Sequence, residues 1–289
     1  MAPSTLRSVQ LFPLYSIGKS LAAATAVALA IDLDAAVGDF VAVPERFRRA
    51  RVRDVLRHRA GLPDYGGWPE YQVAIRESSP WRFDELMDRA ARAAVPAPGT
   101  FHYSNAGYAI IRSILEEITG ATFFETIRAT LLAPLGITEV GPFAEPDDWR
   151  ACVASESDVT WYHPGWVLTG TIAASQVATE ELFAGILSGR LFDPAPLLET
   201  LPVDAPGTAL PEPGYALGLM TSGLPEARYA GHGGGGPGFT TFVLATADGG
   251  AARASFSPGA VDQNALIRDC RDALEALEAL EARDGRLTG

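Results

Sequence analysis

Three observations predict an α+β fold. The first half of the chain carries apolar residues mostly at helical spacing, the stretch after about residue 215 breaks into short strand-like runs with glycine-rich turns, and the chain ends on a long amphipathic segment. With no internal repeat and no low-complexity linker, that order reads as an antiparallel sheet flanked by helices, with a mostly helical lobe inserted into it. Residues 1–50 plus 215–289 are expected to form the sheet lobe and 51–214 the helical lobe, with a cleft between them.

Taken in order, residues 9–14 (VQLFPL) read as a short extended entry, and a helix starts at Ser16 and runs to about Ile31. Arg51–His58 is a short helical turn. Residues 83–94 are amphipathic at helical spacing, and Pro96-Ala-Pro-Gly99 is a hard break. Residues 107–119 form a helix with Gly120 as its C-terminal stop. Thr122-Phe-Phe-Glu125 is a capping box for the next helix, which ends at Pro134-Leu-Gly136. Residues 175–188 give another helix, and 193–214 is proline-rich and irregular. Strands are expected at 216–220, 228–231, 239–247 and 251–256, then a helix over 262–283.

At 289 residues the chain can bury a large core as one or two lobes. A net charge of −12 without a basic run argues against nucleic acid or an anionic membrane surface as a partner. Cys152 and Cys270 lie far apart, and His58, His102, His163 and His232 show no ligand spacing, so neither a metal nor a cofactor is expected. The longest apolar run, Leu21–Ile31, is too short to span a bilayer. Arg7 and Lys19 ahead of it give it the look of an export signal. It is read instead as a buried alanine-rich helix, because cleavage there would discard Ser16 and Lys19, and the protein is expected in the cytoplasm.

Of the 23 lysines and arginines, 22 are arginine, and Lys19 is the exception. It follows Ser16 by three residues, so on a helix the two share a face. Serine needs an adjacent base to be a nucleophile. A lysine serves once burial gives it a neutral amine, whereas arginine keeps its proton. A serine at that spacing arises by chance about one time in twenty. Tyr103-Ser-Asn105, after a Pro-Gly break and before a helix, offers a phenol to relay a proton and an amide to hold Lys19 and a substrate carbonyl. The run Gly231-His-Gly-Gly-Gly-Gly236 lies at the end of a strand run, and so many glycines mark close approach of the backbone to something. Each motif has a bland reading: a helix start, an N-cap pair, a flexible hairpin.

Their order, S-x-x-K then Y-x-N then H-x-G, resembles the serine β-lactamase and penicillin-binding-protein family, in its branch of class C β-lactamases, D-alanyl-D-alanine carboxypeptidases and esterases. Leu56-Arg-His-Arg-Ala-Gly-Leu62, Pro98–Tyr108, Pro134-Leu-Gly136 and residues 166–175 resemble further family stretches, so the likeness runs from about Leu11 to Phe256. It implies the β-lactamase/transpeptidase-like fold and acyl transfer through a covalent ester. Ser16 would attack a carbonyl, and Lys19 and Tyr103 would share the base and acid roles. The N–H groups of Ser16 and Gly235 would form the oxyanion hole. Asn105 would orient substrate and Lys19, and His232, Gly233 and Gly234 would line the cleft, with His232 where relatives carry lysine.

Two departures shape the expectation. Histidine is mostly neutral near pH 7 and pulls less on a substrate carboxylate than lysine would. An esterase or amidase on a small substrate therefore fits better than a β-lactamase, with an acyltransferase or a non-catalytic binding protein of the same fold as alternatives. Only 15 residues precede Ser16, fewer than the helix and two strands that the resemblance implies. Either the reading frame starts too late or the sheet is short; a short sheet would leave an edge for a second copy of the chain to cover.

Overall fold

The computed structural model describes residues 9–287; Arg7, read above as part of a signal-like stretch, and the outermost ends of the expected sheet lobe lie outside the described residues. Among these, the strands form two antiparallel sheets. The smaller is built from β1 (Phe12–Pro13), β2 (Val140–Pro142) and β3 (Ile172–Ala174), with β3 in the middle. The larger runs in sequence order through β4 (Leu201–Pro202), β5 (Pro213–Tyr215), β6 (Met220–Ser222), β7 (Tyr229–Gly236), β8 (Phe239–Thr246) and β9 (Ala252–Ser257). This is the predicted α+β, β-lactamase/transpeptidase-like architecture.

The alternation along β8 explains how the large sheet is covered. Phe242 and Leu244 point to one face, where Leu266, Ile267, Cys270 and Leu274 of the last helix, α10 (Gln263–Leu287), meet them. Val243 and Ala245 point to the other face and join the main core. A strand buried on both sides reads as a nearly continuous apolar run, which is what FTTFVLAT is.

The first helix, α1 (Gly18–Ala28), follows a 3₁₀ turn at Tyr15–Ile17 rather than starting at Ser16, and it ends three residues before Ile31. It is buried on all sides from Gly18 to Ala26, as expected of a central helix. Alanine supplies the close approach. At Gly18 even a methyl is too much, since a Cβ there would collide with the carbonyl oxygen of Gly170.

Around α1 lie α2 (Val52–Leu56), α3 (Pro69–Glu77), α4 (Phe83–Arg92) and α5 (Asn105–Thr119), followed by α6 (Phe123–Ile127), α7 (Ala133–Leu135), α8 (Gln176–Leu187) and α9 (Ala195–Leu198). Gly120 ends α5 in the left-handed conformation, and Thr122 and Glu125 form the capping box of α6. Two differences concern the lobes. The 51–214 segment, read as one helical lobe, gives β4 and β5 to the large sheet, and α8 packs against β8 and β9. The edge at β9 is partly covered from within, because the outward Ala254 carbonyl accepts from Gln176 Nε2 at 2.7 Å and the Ala254 N–H donates to Glu180 Oε1 at 2.9 Å, both from α8. No helix among the described residues is long and apolar enough to cross a membrane, and Cys152 and Cys270 are free thiols.

The contact at Gly18 predicts a stability effect. Gly18→Ala is expected to lower unfolding free energy by about 1–3 kcal/mol through overpacking against backbone. Gly67→Ala, where a Cβ would meet nothing within 4 Å, is expected to change it by less than about 0.5 kcal/mol. Urea midpoints at constant m-value measure both, and equal midpoints would refute the packing account.

Candidate active site

The 3₁₀ turn sets the first part of the site. In that geometry residues three apart eclipse each other. Ser16 Oγ accordingly stands 3.0 Å from Lys19 Nζ. Ser16 is half-exposed, whereas Lys19 is fully buried. Its amine lies over the rings of Tyr103 and Tyr108, 5.0 and 5.6 Å from their centroids. Burial pushes the Lys19 pKa down from 10.5 to about 7, and the Asp64 carboxylate opposes that shift. Lys19 is therefore poised to hold a neutral amine against the serine hydroxyl near neutral pH.

The Tyr103 ring lies under the Lys19 amine, and burial raises its phenol well above the ordinary range, with the nearby Ser16 opposing the shift, so it is a neutral hydroxyl. His58 fixes its place from both sides. The His102 N–H donates to the His58 carbonyl at 2.8 Å, the Ser104 N–H donates to His58 Nδ1 at 3.0 Å, and the imidazole lies 4.3 Å from the Tyr103 ring. Because Nδ1 accepts, the proton of neutral His58 sits on Nε2, which has no hydrogen-bond partner among the described residues. Burial first, then Lys19 and the other histidines, hold His58 well below its usual pKa. Its backbone is left-handed, at φ +57°.

Asn105 departs from expectation. Its amide donates to Asp64 Oδ1 at 2.8 Å, and its N–H donates to the same oxygen at 3.1 Å. Lys19 is bonded to Ser16 instead. The Gly66 N–H adds a third donor to Asp64 Oδ1, at 3.3 Å. One oxygen of this carboxylate is thus saturated by protein donors, and Asp64 acts electrostatically on Lys19 and Tyr103.

The glycines of β7 are accounted for one by one. The turn at the end of the predicted strand is itself strand, paired with β8 through Gly236. Odd positions face α10: a Cβ on Gly233 would collide with Gln263, whereas one on Gly235 would meet nothing within 4 Å. Even positions face the nucleophile: a Cβ on Gly234 would collide with the Leu14 carbonyl, and one on Gly236 with the Tyr15 ring. Beyond Gly231, β6 no longer pairs with this strand, which leaves that edge to the 3₁₀ turn and the cleft. Next to these glycines, His232 is buried, its Nδ1 2.6 Å from the Gly233 carbonyl and its Nε2 3.1 Å from the Tyr215 hydroxyl. A carbonyl can only accept, so Nδ1–H donates to it and the Tyr215 hydroxyl donates to Nε2. Burial, then Lys19, pushes His232 down to about 3. The expected direct hold of His232 on substrate is thus replaced by an inward role, since both ring nitrogens are occupied.

Ser16, Lys19, Tyr103 and His232 are brought together, and Gly234 and Gly235 border them on β7. Asn105 sits at the rim with Asp64. Tyr15, Asp64 and Tyr215 carry no sequence signal of their own, and His58 is visible in the sequence only as a histidine without ligand spacing and as part of a similar loop. Among the described residues no three His, Cys, Asp or Glu side chains are grouped to hold a metal.

Fold and site geometry together are of the β-lactamase/penicillin-binding-protein type. The chain belongs to the β-lactamase family, whose model matches residues 3–273. It is 26% identical over 98 residues to penicillin-binding protein 4* of Bacillus subtilis, a match covering 32% of this chain and 21% of that protein. Among solved structures it resembles the D-amino acid amidase of Ochrobactrum anthropi SV3 (TM-score 0.79, 21% identity, 96% of this chain and 86% of that one). It also resembles a D-stereospecific amidohydrolase from Streptomyces (TM-score 0.75, 22% identity, 90% and 86%). A third is the octameric penicillin-binding protein homologue of Pyrococcus abyssi (TM-score 0.70, 20% identity, 94% and 67%).

The state of Lys19 predicts two pH effects. Acylation of Ser16 is expected to rise with pH through about 7 as the amine loses its proton, which a pH–rate profile of kcat/KM measures. Folding is linked to the same proton and in the same direction. The unfolded lysine keeps its proton up to 10.5, so between about 7 and 10.5 the unfolded state binds more protons and stability rises with pH. Below about 7 the cost of burying the charge is fully present. Lys19→Met is therefore expected to be more stable than wild type at pH 6, by on the order of a few kcal/mol, with the gap closing as pH approaches 10.5. A gap that stays constant from pH 6 to 10 would contradict this.

Proposed function

We propose that the protein hydrolyses a small amide or ester through an acyl-enzyme on Ser16. The observation that carries this reading is the 3.0 Å contact of Ser16 with a fully buried Lys19, with the Tyr103 ring 5.0 Å from the same amine. Ser16 Oγ bonds to the substrate carbonyl carbon while its proton passes to Lys19. The tetrahedral oxyanion lies between the N–H groups of Ser16 and Gly235. Tyr103 delivers a proton to the leaving amine or alcohol as the C–N or C–O bond breaks. Water then attacks the ester, passes its proton back through the same pair, and releases the acid.

The substrate class we favour is the amide of an amino acid with a free amino group, in line with the D-amino acid amidase of similar fold. Two features support it. His232 is neutral and inward, so no cation replaces the lysine that would attract a substrate carboxylate. The Asp64 carboxylate, held at one oxygen by Asn105 and Gly66, supplies negative charge at the rim for an ammonium group.

Ser16→Ala and Lys19→Arg are each expected to lose turnover of a p-nitrophenyl ester on the order of a thousandfold, and Ser16→Ala to lose the fluorophosphonate adduct seen by intact mass. Wild-type turnover in both variants would refute the assignment. Asp64→Asn keeps the accepting oxygen and removes the charge. It is expected to raise KM for D-phenylalanine amide about tenfold while leaving p-nitrophenyl acetate unchanged. It should also move the acid limb to lower pH, because Asp64 now holds Lys19 up. An equal effect on both substrates would remove the amino-acid part of the reading.

A further inference from the structure

Tyr15 immediately precedes the nucleophile and is left unused by the chemistry above. Its backbone is left-handed, at φ +45°, a conformation that a bulky aromatic residue adopts only when its surroundings impose it. Its side chain is 3% exposed and does not turn away from the site. It crosses to the β7–β8 hairpin, where its hydroxyl donates to the Pro237 carbonyl at 2.7 Å. The ring stands edge-on to Phe143 at 5.9 Å and occupies the space in which a side chain at 236 would lie. Burial raises the phenol far above its ordinary range, so it remains a hydroxyl donor at every working pH.

The placement matters because of what lies at each end. The peptide following Tyr15 carries the Ser16 N–H, whose direction depends on the Tyr15 backbone. The hydroxyl grips the chain two residues beyond Gly235, and the ring abuts the intervening Gly236. The hairpin tip is held from its other side by Ser155, whose hydroxyl donates to the Gly238 carbonyl at 3.0 Å. We propose that Tyr15 is a positioning residue that sets the separation and aim of the two N–H donors of the oxyanion hole, with its strained backbone fixing one and its side chain fixing the other. A packing role alone would need neither the left-handed backbone nor a hydrogen bond across 222 residues of sequence. This role rests on the acyl-enzyme reading.

The test is Tyr15→Phe, which keeps the ring and removes the grip on Pro237. With a p-nitrophenyl ester, kcat is expected to fall about tenfold and KM to stay within about twofold, because oxyanion donors act on the transition state. Affinity for phenylboronic acid, whose tetrahedral adduct places an oxygen in the hole, is expected to fall by a similar factor. The acid limb of the pH profile should not move. Gly236→Ala, which presses on the ring, is expected to give the same split, and in a Tyr15→Ala background it should add nothing. Should Tyr15→Phe fail to fold, this pair decides the matter. Turnover and boronate affinity within twofold of wild type overturn the role, as does a loss carried by KM. So does a Gly236→Ala effect that persists without the ring. Wild-type protein that forms no fluorophosphonate adduct overturns the acyl-enzyme reading and this role together; an adduct-forming wild type with an unaffected Tyr15→Phe overturns this role alone.

Discussion

The burial of one lysine is the constraint around which the molecule is arranged. An amine with no access to water is costly to keep charged, and that cost is what brings a neutral form within reach near pH 7. The surrounding structure works to keep water out. An alanine-rich helix lets its neighbours close in on all sides, and the faces of Tyr103 and Tyr108 cover the amine. Ser20, one position on, donates to the Gly218 carbonyl at 2.6 Å and ties the same helix to the approach to β6. The serine is left half-exposed, where a substrate can reach it.

Closeness of backbone is the second theme, and it follows from the first. To seat the nucleophile turn directly against β7, the strand must lose its side chains on the facing side. Gly234 clears the Leu14 carbonyl and Gly236 clears the Tyr15 ring, whereas Gly233 makes room for Gln263 on the other face. A glycine-rich strand is intrinsically weak, since it adds backbone entropy on unfolding and packs nothing itself. Here the weakness is offset by β8, whose full-length pairing with β7 and two-sided burial hold it in register.

Much of this was legible in the sequence, and the failures have physical reasons. The helix stop at Gly120 and the capping box at Thr122 were readable because they are local chemistry. Helix α3 was not, because its apolar face is one short triplet, Tyr71, Ala74 and Ile75, only partly buried against the core. Strands β1 to β5 are two or three residues long, too short to show alternation, and several contain proline, which short edge strands tolerate. The glycine run looked like a turn because strand propensity measures side-chain packing, which glycine lacks. At the site, the S-x-x-K spacing was enough to pair Ser16 with Lys19. No spacing could show that the Asn105 amide turns to Asp64, since the two lie 41 residues apart and meet only through the fold.

The histidine at 232 then reads as part of the electrostatic design. A lysine there would place a second cation beside Lys19 in a desolvated space, with Asp64 as the carboxylate that acts on the amine. A like charge so close would lower the proton affinity of Lys19 further and change the balance set by burial and Asp64. His232 avoids the conflict. One nitrogen is satisfied by its neighbour's carbonyl and the other by Tyr215, so the ring stays neutral and fills the space a charge would have held. On the other side of Tyr103, His58 is neutral too, with Nδ1 accepting from the Ser104 N–H. Lys19 is therefore flanked by two neutral imidazoles, and its proton affinity is set by burial and one carboxylate. That leaves the site with little to offer a substrate's carboxylate and something to offer its amine.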